Sequence, residues 1–285
     1  MAEFSSSDYD TRNYSEARPR YPVEFFELLR SYHVGRRDLL VDVGCGPGSF
    51  SLELKQTLGF GKLEGTDLSA RMIERANTEI SGKKVENVKF SVHAAEDLDW
   101  LSANSVDMIT AAQCSHWLDF PAFQKAAHRV LRPQGTLAIW GYVDPVIIEC
   151  PQADSFLEEF QYSISSLGPY WENPGRDKLR TLLRCQVIDR DSYSDIVQAT
   201  YRIRSAAEAH CNVRPLVMVK KMTLLDFEHY VKSWSAYSTW KSQNPKSSDL
   251  CKEFLRRLRL KSGLDSSSTF TVAWNSVYKF AKKRI

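Results

Sequence analysis

A glycine-rich stretch at residues 41–49, VDVGCGPGS, limits the folds open to this chain of 285 residues. It follows the apolar residues Leu39 and Leu40 and places glycines at alternate positions, Gly44, Gly46 and Gly48. Glycine weakens the interior of a strand, but it suits a tight turn whose backbone must approach a ligand. The stretch therefore predicts a short buried strand that ends in a ligand-binding turn.

Strand and helix patterns alternate along residues 37–143. Short apolar runs predict strands at 39–44, 62–67, 88–95, 106–113 and 135–143. Helical periodicity predicts helices after Pro22 and at 49–58, 69–80 and 120–131. Together with strands predicted at 195–205 and 268–280, the alternation indicates a doubly wound, mostly parallel, seven-stranded α/β sheet. The glycine turn then lies at the carboxyl ends of the strands, where such sheets bind ligands.

The pattern changes after Val143. Residues 144–190 are rich in aromatic residues and interrupted by prolines, and helical periodicity returns at 224–240. A helical cap inserted before the last strands accounts for both observations. We predict four parts: an arm and helix over the mouth of the binding site at 1–36, an α/β core at 37–143, a substrate-binding cap at 144–267, and a final strand and tail at 268–285.

Charge and cysteine content argue against several other functions. The net charge is only +3 and the six cysteines form no CxxC pair, which disfavours a nucleic-acid partner, a zinc cluster and a redox dithiol. No apolar run reaches the roughly 18 residues of a membrane span, and the first ten residues lack the features of a secretory signal. We therefore expect a cytoplasmic protein with reduced thiols and no nucleic-acid, membrane or metal partner. The sequence leaves the oligomeric state open, and the basic residues of 250–261 are interpreted as a solvated helix face.

The spacing of the glycines and two acidic residues indicate the class of ligand. Dinucleotide enzymes carry GxGxxG, whereas this turn has the pattern GxGxG with a serine at position 49. Asp42, two residues before the first glycine, would repel a pyrophosphate but suit a cationic ligand such as S-adenosylmethionine. Asp67 ends the next predicted strand, where a carboxylate can accept hydrogen bonds from ribose hydroxyls. The sequence thus favours S-adenosylmethionine over a nicotinamide dinucleotide.

An adenine site is predicted after the third strand. The backbone of Ala95 and the carboxylate of Glu96 or Asp97 would bind the ring and its exocyclic amine, although a solvated loop acid explains Asp97 equally well. The full set of predicted cofactor-binding residues is Asp42, Gly44, Gly46, Gly48, Asp67, Leu68, Ala95, Glu96, Asp97 and Gln113.

Several longer stretches resemble one family along nearly the whole chain. They are RPRYP, LLVDVGCGPG, GTDLSARMI, HWLDF, LAIWGYVDP, LGPYWENPGR, VKSWSAYSTWK and VAWNSVYK. The glycine motif resembles class I S-adenosylmethionine-dependent methyltransferases in general, while LGPYWENPGR and WSAYSTWK resemble the fungal trans-aconitate methyltransferases and their relatives. The resemblance implies a Rossmann-like sheet with a helical cap. It also implies methyl transfer to one carboxylate of trans-aconitate or a related small di- or tricarboxylate.

A carboxylate acceptor is ionised at neutral pH, so its esterification needs positioning and exclusion of water rather than a general base. Arginine holds the other carboxylates of such a substrate well, through paired hydrogen bonds. Arg18 and Arg176 are therefore candidate substrate ligands, with a surface salt bridge as the alternative for each. The full set of predicted substrate-binding residues is Arg18, Trp117, Trp140, Tyr170, Arg176 and Tyr237, and Tyr237 is also a candidate for the core of the cap.

Two residues are predicted to act at the reacting groups. His116 follows the fourth strand and would donate to a substrate carboxylate, or act as a base toward a hydroxyl or amine acceptor. A buried structural histidine is the alternative. Tyr14 would orient the sulfonium or the methionine part of the cofactor, or else pack on the arm. Two other functions stay open: methylation of a different small molecule with His116 as base, and binding of S-adenosylmethionine without catalysis.

Overall fold

A computed structural model describes residues 17–203, 208, 214–263 and 268–285. The predicted site residue Tyr14 and the end of the predicted strand, 204–205, lie outside these ranges. The strands are β1 (Leu39–Val43), β2 (Lys62–Asp67), β3 (Val88–Val92), β4 (Val106–Ala112), β5 (Leu131–Ile147), β6 (Tyr193–Tyr201), β7 (Met218–Thr223) and β8 (Thr269–Lys283). The α-helices are α1 (Val23–Tyr32), α2 (Ser49–Leu58), α3 (Ala70–Lys83), α4 (Phe120–Val130), α5 (Ala153–Tyr162), α6 (Gly175–Arg180), α7 (Leu224–Lys232), α8 (Ser235–Gln243) and α9 (Leu250–Ser262). Single 3₁₀ turns lie at Ser115–Trp117 and Gly168–Tyr170.

The strands form one mostly parallel sheet. Its order is β3-β2-β1-β4-β5-β8-β6, and β7 pairs with β8. Strand β1 pairs in parallel with β2 on one side and with β4 on the other, so the strand order reverses beside β1. Open α/β sheets bind ligands at this position, and the glycine turn follows β1 directly. The predicted α/β class and mostly parallel sheet are confirmed.

The described sheet has eight strands, one more than predicted. The additional strand is β7, which pairs antiparallel with the first part of β8, with Met218 opposite Trp274 and Thr223 opposite Thr269. Its sequence is MVKKMT, in which two adjacent lysines interrupt the apolar alternation. The period-2 pattern that reveals half-buried strands is therefore absent from this segment.

Two predicted boundaries were also wrong. The segment 224–240 is two helices rather than one, and α7 begins with a capping box in which Thr223 and Asp226 bond reciprocally. Strand β5 begins at Leu131, directly after α4, whereas the sequence pattern placed its start at 135. In the ranges that the structure describes, no helix is long and apolar enough to cross a membrane.

The chain divides into two compact units. The core unit comprises Pro22–Tyr142, Asp177–Thr200 and Ser276–Ile285. Of the described residues, the cap unit comprises 17–21, Val143–Arg176 and those within Tyr201–Asn275. Residues 177–200, which the sequence pattern assigned to the cap, thus belong to the core unit. The functional division into arm, core, cap and final strand stays a prediction.

An aromatic cluster fixes α1 within the core unit. Phe25 on α1 is fully buried, and its ring centroid lies 5.2 Å from that of Trp140, 5.9 Å from that of Tyr278 and 5.8 Å from that of Phe280. Tilted and edge-on ring contacts of this kind add to the hydrophobic gain of burying the rings. The helix before the glycine turn is thereby held against β5 and β8.

We expect Phe25→Ala to lower the free energy of unfolding by about 3–5 kcal/mol, because it leaves a cavity between the rings of Trp140, Tyr278 and Phe280. Val34→Ala is the matched control, since Val34 is 75% exposed and its truncation should cost at most about 0.5 kcal/mol. Urea unfolding followed by tryptophan fluorescence measures both values. A loss for Phe25→Ala no larger than that of the control would contradict the packing described.

Candidate active site

In the turn after β1, Gly44 allows close packing on a neighbouring segment, and Gly46 leaves the backbone accessible. Both have positive φ, 64° and 55°, which disfavours residues with a side chain. A Cβ on Gly44 would lie 2.6 Å from the Cβ of Cys114, so the turn packs closely on the segment after β4. A Cβ on Gly46 would meet no atom within 4 Å, so the backbone there is open to a ligand. Gly48 completes the turn as the N-cap of α2.

Asp67, the last residue of β2, binds this turn. Its Oδ2 accepts a hydrogen bond from the backbone N–H of Gly46 at 3.0 Å, and its Oδ1 accepts one from Ser69 at 2.9 Å. Burial raises the pKa of Asp67 despite these bonds. Each carboxylate oxygen has a second lone pair. Asp67 therefore joins β2 to the turn and keeps acceptor capacity for the hydroxyl groups of a ligand.

Asp42 lies beneath the turn rather than at its mouth. Its side chain is only 2% exposed and accepts hydrogen bonds from Ser51 Oγ at 2.5 Å and Thr110 Oγ1 at 2.6 Å. Burial raises the pKa of Asp42 to about 6, against the opposing effect of the two hydroxyl bonds. Its two oxygens thus bind α2 and β4 to β1, and its contact with a cofactor stays a prediction.

Four of the other predicted cofactor residues lie on the loops after β2 and β3. Leu68 is half exposed, whereas Ala95 is buried. The Glu96 carboxylate accepts a hydrogen bond from the backbone N–H of Asp119 at 2.8 Å, so it is partly committed to the start of α4. Asp97 is exposed. Their contacts with a cofactor stay predictions.

Gln113 extends the sheet beyond the end of β4. Its Nε2 donates to the carbonyl of Tyr142 at 2.9 Å, and its Oε1 accepts from the N–H of Tyr142 at 2.7 Å. The side-chain amide thus replaces the backbone of a further strand residue. One hydrogen of Nε2 and one lone pair of Oε1 are not used by these two bonds, and a cofactor contact of Gln113 stays a prediction.

The 3₁₀ turn that carries His116 and Trp117 is held by a buried glutamine. Gln186 donates from Nε2 to the carbonyl of Ser115, and Lys279 on β8 donates to the carbonyl of Gln186 at 2.5 Å. Both side chains are buried. The two contacts join residues 71 and 93 positions apart in the chain, so no local pattern in the sequence could have revealed them.

His116 lies after β4, as predicted, and is buried. Its ring centroid is 4.7 Å from that of Trp117, and the imidazole is 6% exposed. The pair occupies the carboxyl end of the strand beside β1, where α/β sheets place reacting groups. The action of His116 on a substrate stays a prediction.

Known proteins resemble the chain over this region and beyond it. A family described as a methyltransferase domain matches residues 40–135. A probable S-adenosylmethionine-dependent methyltransferase of Saccharomyces cerevisiae, CRG1, is 27% identical over 99% of this chain and 98% of its own length. A putative methyltransferase of Dictyostelium discoideum is 30% identical over 81% of this chain and 76% of its own length. The chain belongs to the S-adenosylmethionine-dependent methyltransferases.

A solved structure supports the fold of this methyltransferase. A putative type II methyltransferase from Anaeromyxobacter dehalogenans aligns with a TM-score of 0.69 at 23% identity, over 93% of this chain and 97% of that one. The Rossmann-like methyltransferase fold implied by the sequence resemblance is thus confirmed. So is the general activity, methyl transfer from S-adenosylmethionine, whereas the acceptor is not identified by these relatives.

The residues around the turn fit S-adenosylmethionine, the cofactor of this family. Gly46 offers open backbone, and Asp67 offers two carboxylate oxygens with free lone pairs to the two ribose hydroxyls. The bound cofactor supplies a methyl group on a positively charged sulfur. Within the described residues, no group of three or more His, Cys, Asp or Glu side chains could hold a metal ion.

In the cap unit, Arg176 contacts the carboxylate of Asp144, the hydroxyl of Tyr162 and the indole ring of Trp171. Its Nη2 donates to Asp144 Oδ1 at 2.9 Å and to the hydroxyl of Tyr162. Its guanidinium carbon lies 3.9 Å from the ring centroid of Trp171. The Nε of Arg176 is buried and has no hydrogen-bond partner among the described residues. Arg176 thus forms a salt bridge, although one that is largely buried rather than on the surface, and its contact with a substrate stays a prediction.

Arg18 and Tyr170 are also placed in the cap unit. Arg18 Nη2 donates to the carbonyl of Ser233 at 2.9 Å, and its guanidinium carbon lies 5.9 Å from the ring centroid of Tyr230. The Tyr170 hydroxyl accepts a hydrogen bond from Asn244 Nδ2 at 3.1 Å. Their contacts with a substrate stay predictions.

Trp140 and Tyr237 are buried in this structure, and their contacts with a substrate stay predictions. Trp140 has no exposed surface and packs edge-on against Phe25 and Phe50 in the core unit. Tyr237 is buried in the cap unit, where its hydroxyl donates to Asp249 Oδ2 at 3.0 Å. Aromatic side chains stabilise cores as readily as they line binding sites, so residue type alone did not separate the two roles.

We expect Asp67→Ala to weaken S-adenosylmethionine binding about 10- to 100-fold, because charge-assisted hydrogen bonds to the ribose hydroxyls are lost. Asp67→Asn keeps one acceptor oxygen and should lose less. Titration calorimetry gives the dissociation constants, with Glu64→Ala on the same strand as control. An unchanged dissociation constant for Asp67→Ala would remove Asp67 from the cofactor site.

Asp42→Asn should change how stability depends on pH. The pKa of Asp42 is raised from 3.8 to about 6 in the folded chain, so the folded state holds the extra proton between these values. The free energy of unfolding of the wild-type chain therefore falls relative to the variant as pH rises from 4 to 7, by up to about 3 kcal/mol.

Urea unfolding at several pH values measures this difference, with Asp97→Asn as an exposed control. Curves of free energy against pH that run parallel for wild type and Asp42→Asn would show that Asp42 titrates normally.

Proposed function

We propose that this methyltransferase esterifies one carboxylate of a small di- or tricarboxylate, with trans-aconitate as the leading candidate. The observation that carries the proposal is Arg176, which stacks on Trp171 and whose Nε has no hydrogen-bond partner among the described residues. A fixed guanidinium with an unused donor is suited to bind a carboxylate. Both residues lie in LGPYWENPGR, a stretch specific to the resemblance with trans-aconitate methyltransferases.

Arg18 supplies a second cation in the same unit. It is half-buried, donates to the Ser233 carbonyl and faces the ring of Tyr230. Water screens a charge less among aromatic rings than on an open surface. A small polyanion would therefore bind more strongly to Arg18 than to a fully exposed arginine.

Transfer to a carboxylate requires no residue that removes a proton. The acceptor is ionised at neutral pH, and its oxygen attacks the methyl carbon in line with the carbon–sulfur bond. That bond breaks with its electron pair going to sulfur, which gives S-adenosylhomocysteine and a monomethyl ester. The protein holds the carboxylate in place and excludes water.

A second candidate function rests on His116, which is buried beside Trp117 after β4. With a hydroxyl or amine acceptor, the imidazole would take the proton that the acceptor loses. This chemistry needs His116 as a base, whereas carboxylate esterification does not. Substitution of His116 therefore separates the two candidates.

Methyl transfer from labelled S-adenosylmethionine to trans-aconitate, cis-aconitate, citrate and isopropylmalate tests the proposal. A base-labile methyl ester as product, formed with little dependence on a basic residue at position 116, supports carboxylate esterification. Turnover restricted to hydroxyl or amine acceptors, and lost in His116→Asn, would overturn it in favour of the second candidate. Tight cofactor binding without turnover on any acceptor would leave a binding protein without catalysis.

We expect Arg176→Ala and Arg18→Ala each to raise the KM for the carboxylate about 10- to 100-fold, the value of one charged hydrogen-bonded contact. The KM for S-adenosylmethionine should change less than about twofold, because both residues belong to the acceptor side of the proposal. Arg256→Ala is the control, since Arg256 is exposed and pairs with Glu253 on α9. Equal effects on the two KM values would remove Arg18 and Arg176 from the acceptor site.

A further inference from the structure

The carbonyl of Ser115 attaches the turn after β4 to a distant part of the core unit. It accepts a hydrogen bond from the N–H of Leu118 at 3.1 Å, which closes the 3₁₀ turn, and another from Nε2 of Gln186. A carbonyl oxygen has two lone pairs, so these two bonds occupy both. The bond from Gln186 therefore fixes the direction of the turn that carries His116 and Trp117.

Gln186 is itself held by a buried ammonium group. Lys279 on β8 is 6% exposed, and its Nζ donates to the carbonyl of Gln186 at 2.5 Å and to that of Leu183 at 2.9 Å. Taking an ammonium group out of water is costly, and burial accordingly lowers the pKa of Lys279. The segment 183–186 is thereby anchored directly to the sheet.

The backbone at the start of this segment has an unfavourable conformation. Leu182 and Leu183 are buried and have positive φ values of 53° and 55°. Residues with a side chain adopt this conformation at a cost, and such residues concentrate at functional sites. The N–H of Leu183 bonds to the carbonyl of Lys178 at 2.9 Å, and Lys178 Nζ donates to the carbonyl of Leu118 at 3.4 Å. Residues 178–186 therefore hold the turn at both of its ends.

Stability alone does not account for the contact between Gln186 and Ser115. Gln186 Oε1 and Ser115 Oγ are buried and have no hydrogen-bond partner among the described residues. A buried polar atom without a partner costs about as much free energy as a hydrogen bond gains. The pair thus forms one hydrogen bond and leaves two polar atoms unsatisfied. Its main effect is on the position of the turn.

We propose that Gln186 is a positioning residue for methyl transfer, which sets the place of the turn that carries His116 and Trp117, and that Lys279 acts through it. The turn lies at the carboxyl end of β4, where α/β sheets place reacting groups. Given the predicted contacts of His116 and Trp117 with the acceptor, a shift of about 1 Å would misalign the acceptor with the methyl group. Misalignment of this size can lower a rate about 100-fold. The inference concerns the geometry of transfer, so it holds for a carboxylate as for a hydroxyl acceptor.

The kinetic experiment rests on the proposed function, because its acceptor is trans-aconitate. Gln186→Met keeps the length of the side chain but removes the donor to Ser115. We expect kcat to fall about 10- to 100-fold, with a smaller change in the KM for trans-aconitate. The dissociation constant for S-adenosylmethionine should change less than about twofold.

A double variant tests whether Lys279 acts through Gln186. Lys279→Met should also lower kcat. The variant with both substitutions should then have a kcat within about twofold of that of Gln186→Met, because the second substitution disturbs a contact that is already lost. Independent effects on kcat would multiply instead, and would overturn this part of the inference.

Lys283→Met is the matched control. Lys283 is another buried lysine of β8, 8% exposed, and donates to the carbonyl of Leu131 at 2.9 Å and to Asn104 Oδ1 at 2.7 Å. These acceptors lie at the start of β5 and just before β4, away from the turn. Lys283→Met should lose stability as Lys279→Met does, yet keep kcat within about twofold of wild type. Thermal unfolding gives an assay temperature at which every variant is folded.

The outcomes separate this inference from the proposed function. A kcat for Gln186→Met within twofold of wild type, or equal losses in Lys279→Met and Lys283→Met, would overturn the inference and leave the proposed function standing. Should Gln186→Met or Lys279→Met not fold, the other variant decides.

If wild type does not methylate trans-aconitate, the proposed acceptor falls and hydrogen exchange decides the inference. The amides of Trp117 and Leu118 close the turn by bonding to the carbonyls of Cys114 and Ser115. They should exchange at least tenfold faster in Gln186→Met than in Lys283→Met. Equal exchange rates in the two variants would show that Gln186 does not hold the turn.

Discussion

The buried carboxylate of Asp42 is the contact on which the core unit depends most. It lies in β1 and accepts hydrogen bonds from Ser51 on α2 and Thr110 on β4, so one side chain joins three elements. Burying an ionisable group is costly, and burial accordingly raises the pKa of Asp42. The same contact determines where the glycine turn leaves the sheet, because α2 and β4 flank that turn. The open backbone at Gly46 and the carboxylate of Asp67 are arranged around this fixed point.

The cap unit uses buried charge in a different way. Arg176 and Asp144 satisfy each other, and the rings of Trp171 and Tyr162 cover them. A buried pair contributes little net stability, since the cost of removing both charges from water offsets their attraction. It does fix the direction of the remaining donors of Arg176. The pair therefore orients Arg176 more than it stabilises the fold.

Features that depend on neighbours in the chain were predictable from the sequence. The glycine turn, the bounds of α2 and the N-cap of α3 at Ser69 all follow from local patterns, and the structure has them. Features that depend on distant partners were not. Gln186 and Lys279 hold the His116 turn from far along the chain, and nothing in their own surroundings distinguishes them from ordinary polar residues.

The pairing of charges in the cap unit was not predictable from the sequence either. The family resemblance implied an acceptor with two or three carboxylates, and Arg18 and Arg176 were predicted to bind them. The sequence does not show that Asp144 bonds to an arginine 32 positions away. Within that pair the charge of Arg176 is largely cancelled, while its hydrogen-bond donors and its flat face are retained. Which donors of Arg176 are engaged by its neighbours, and which are not, is therefore seen only in the structure.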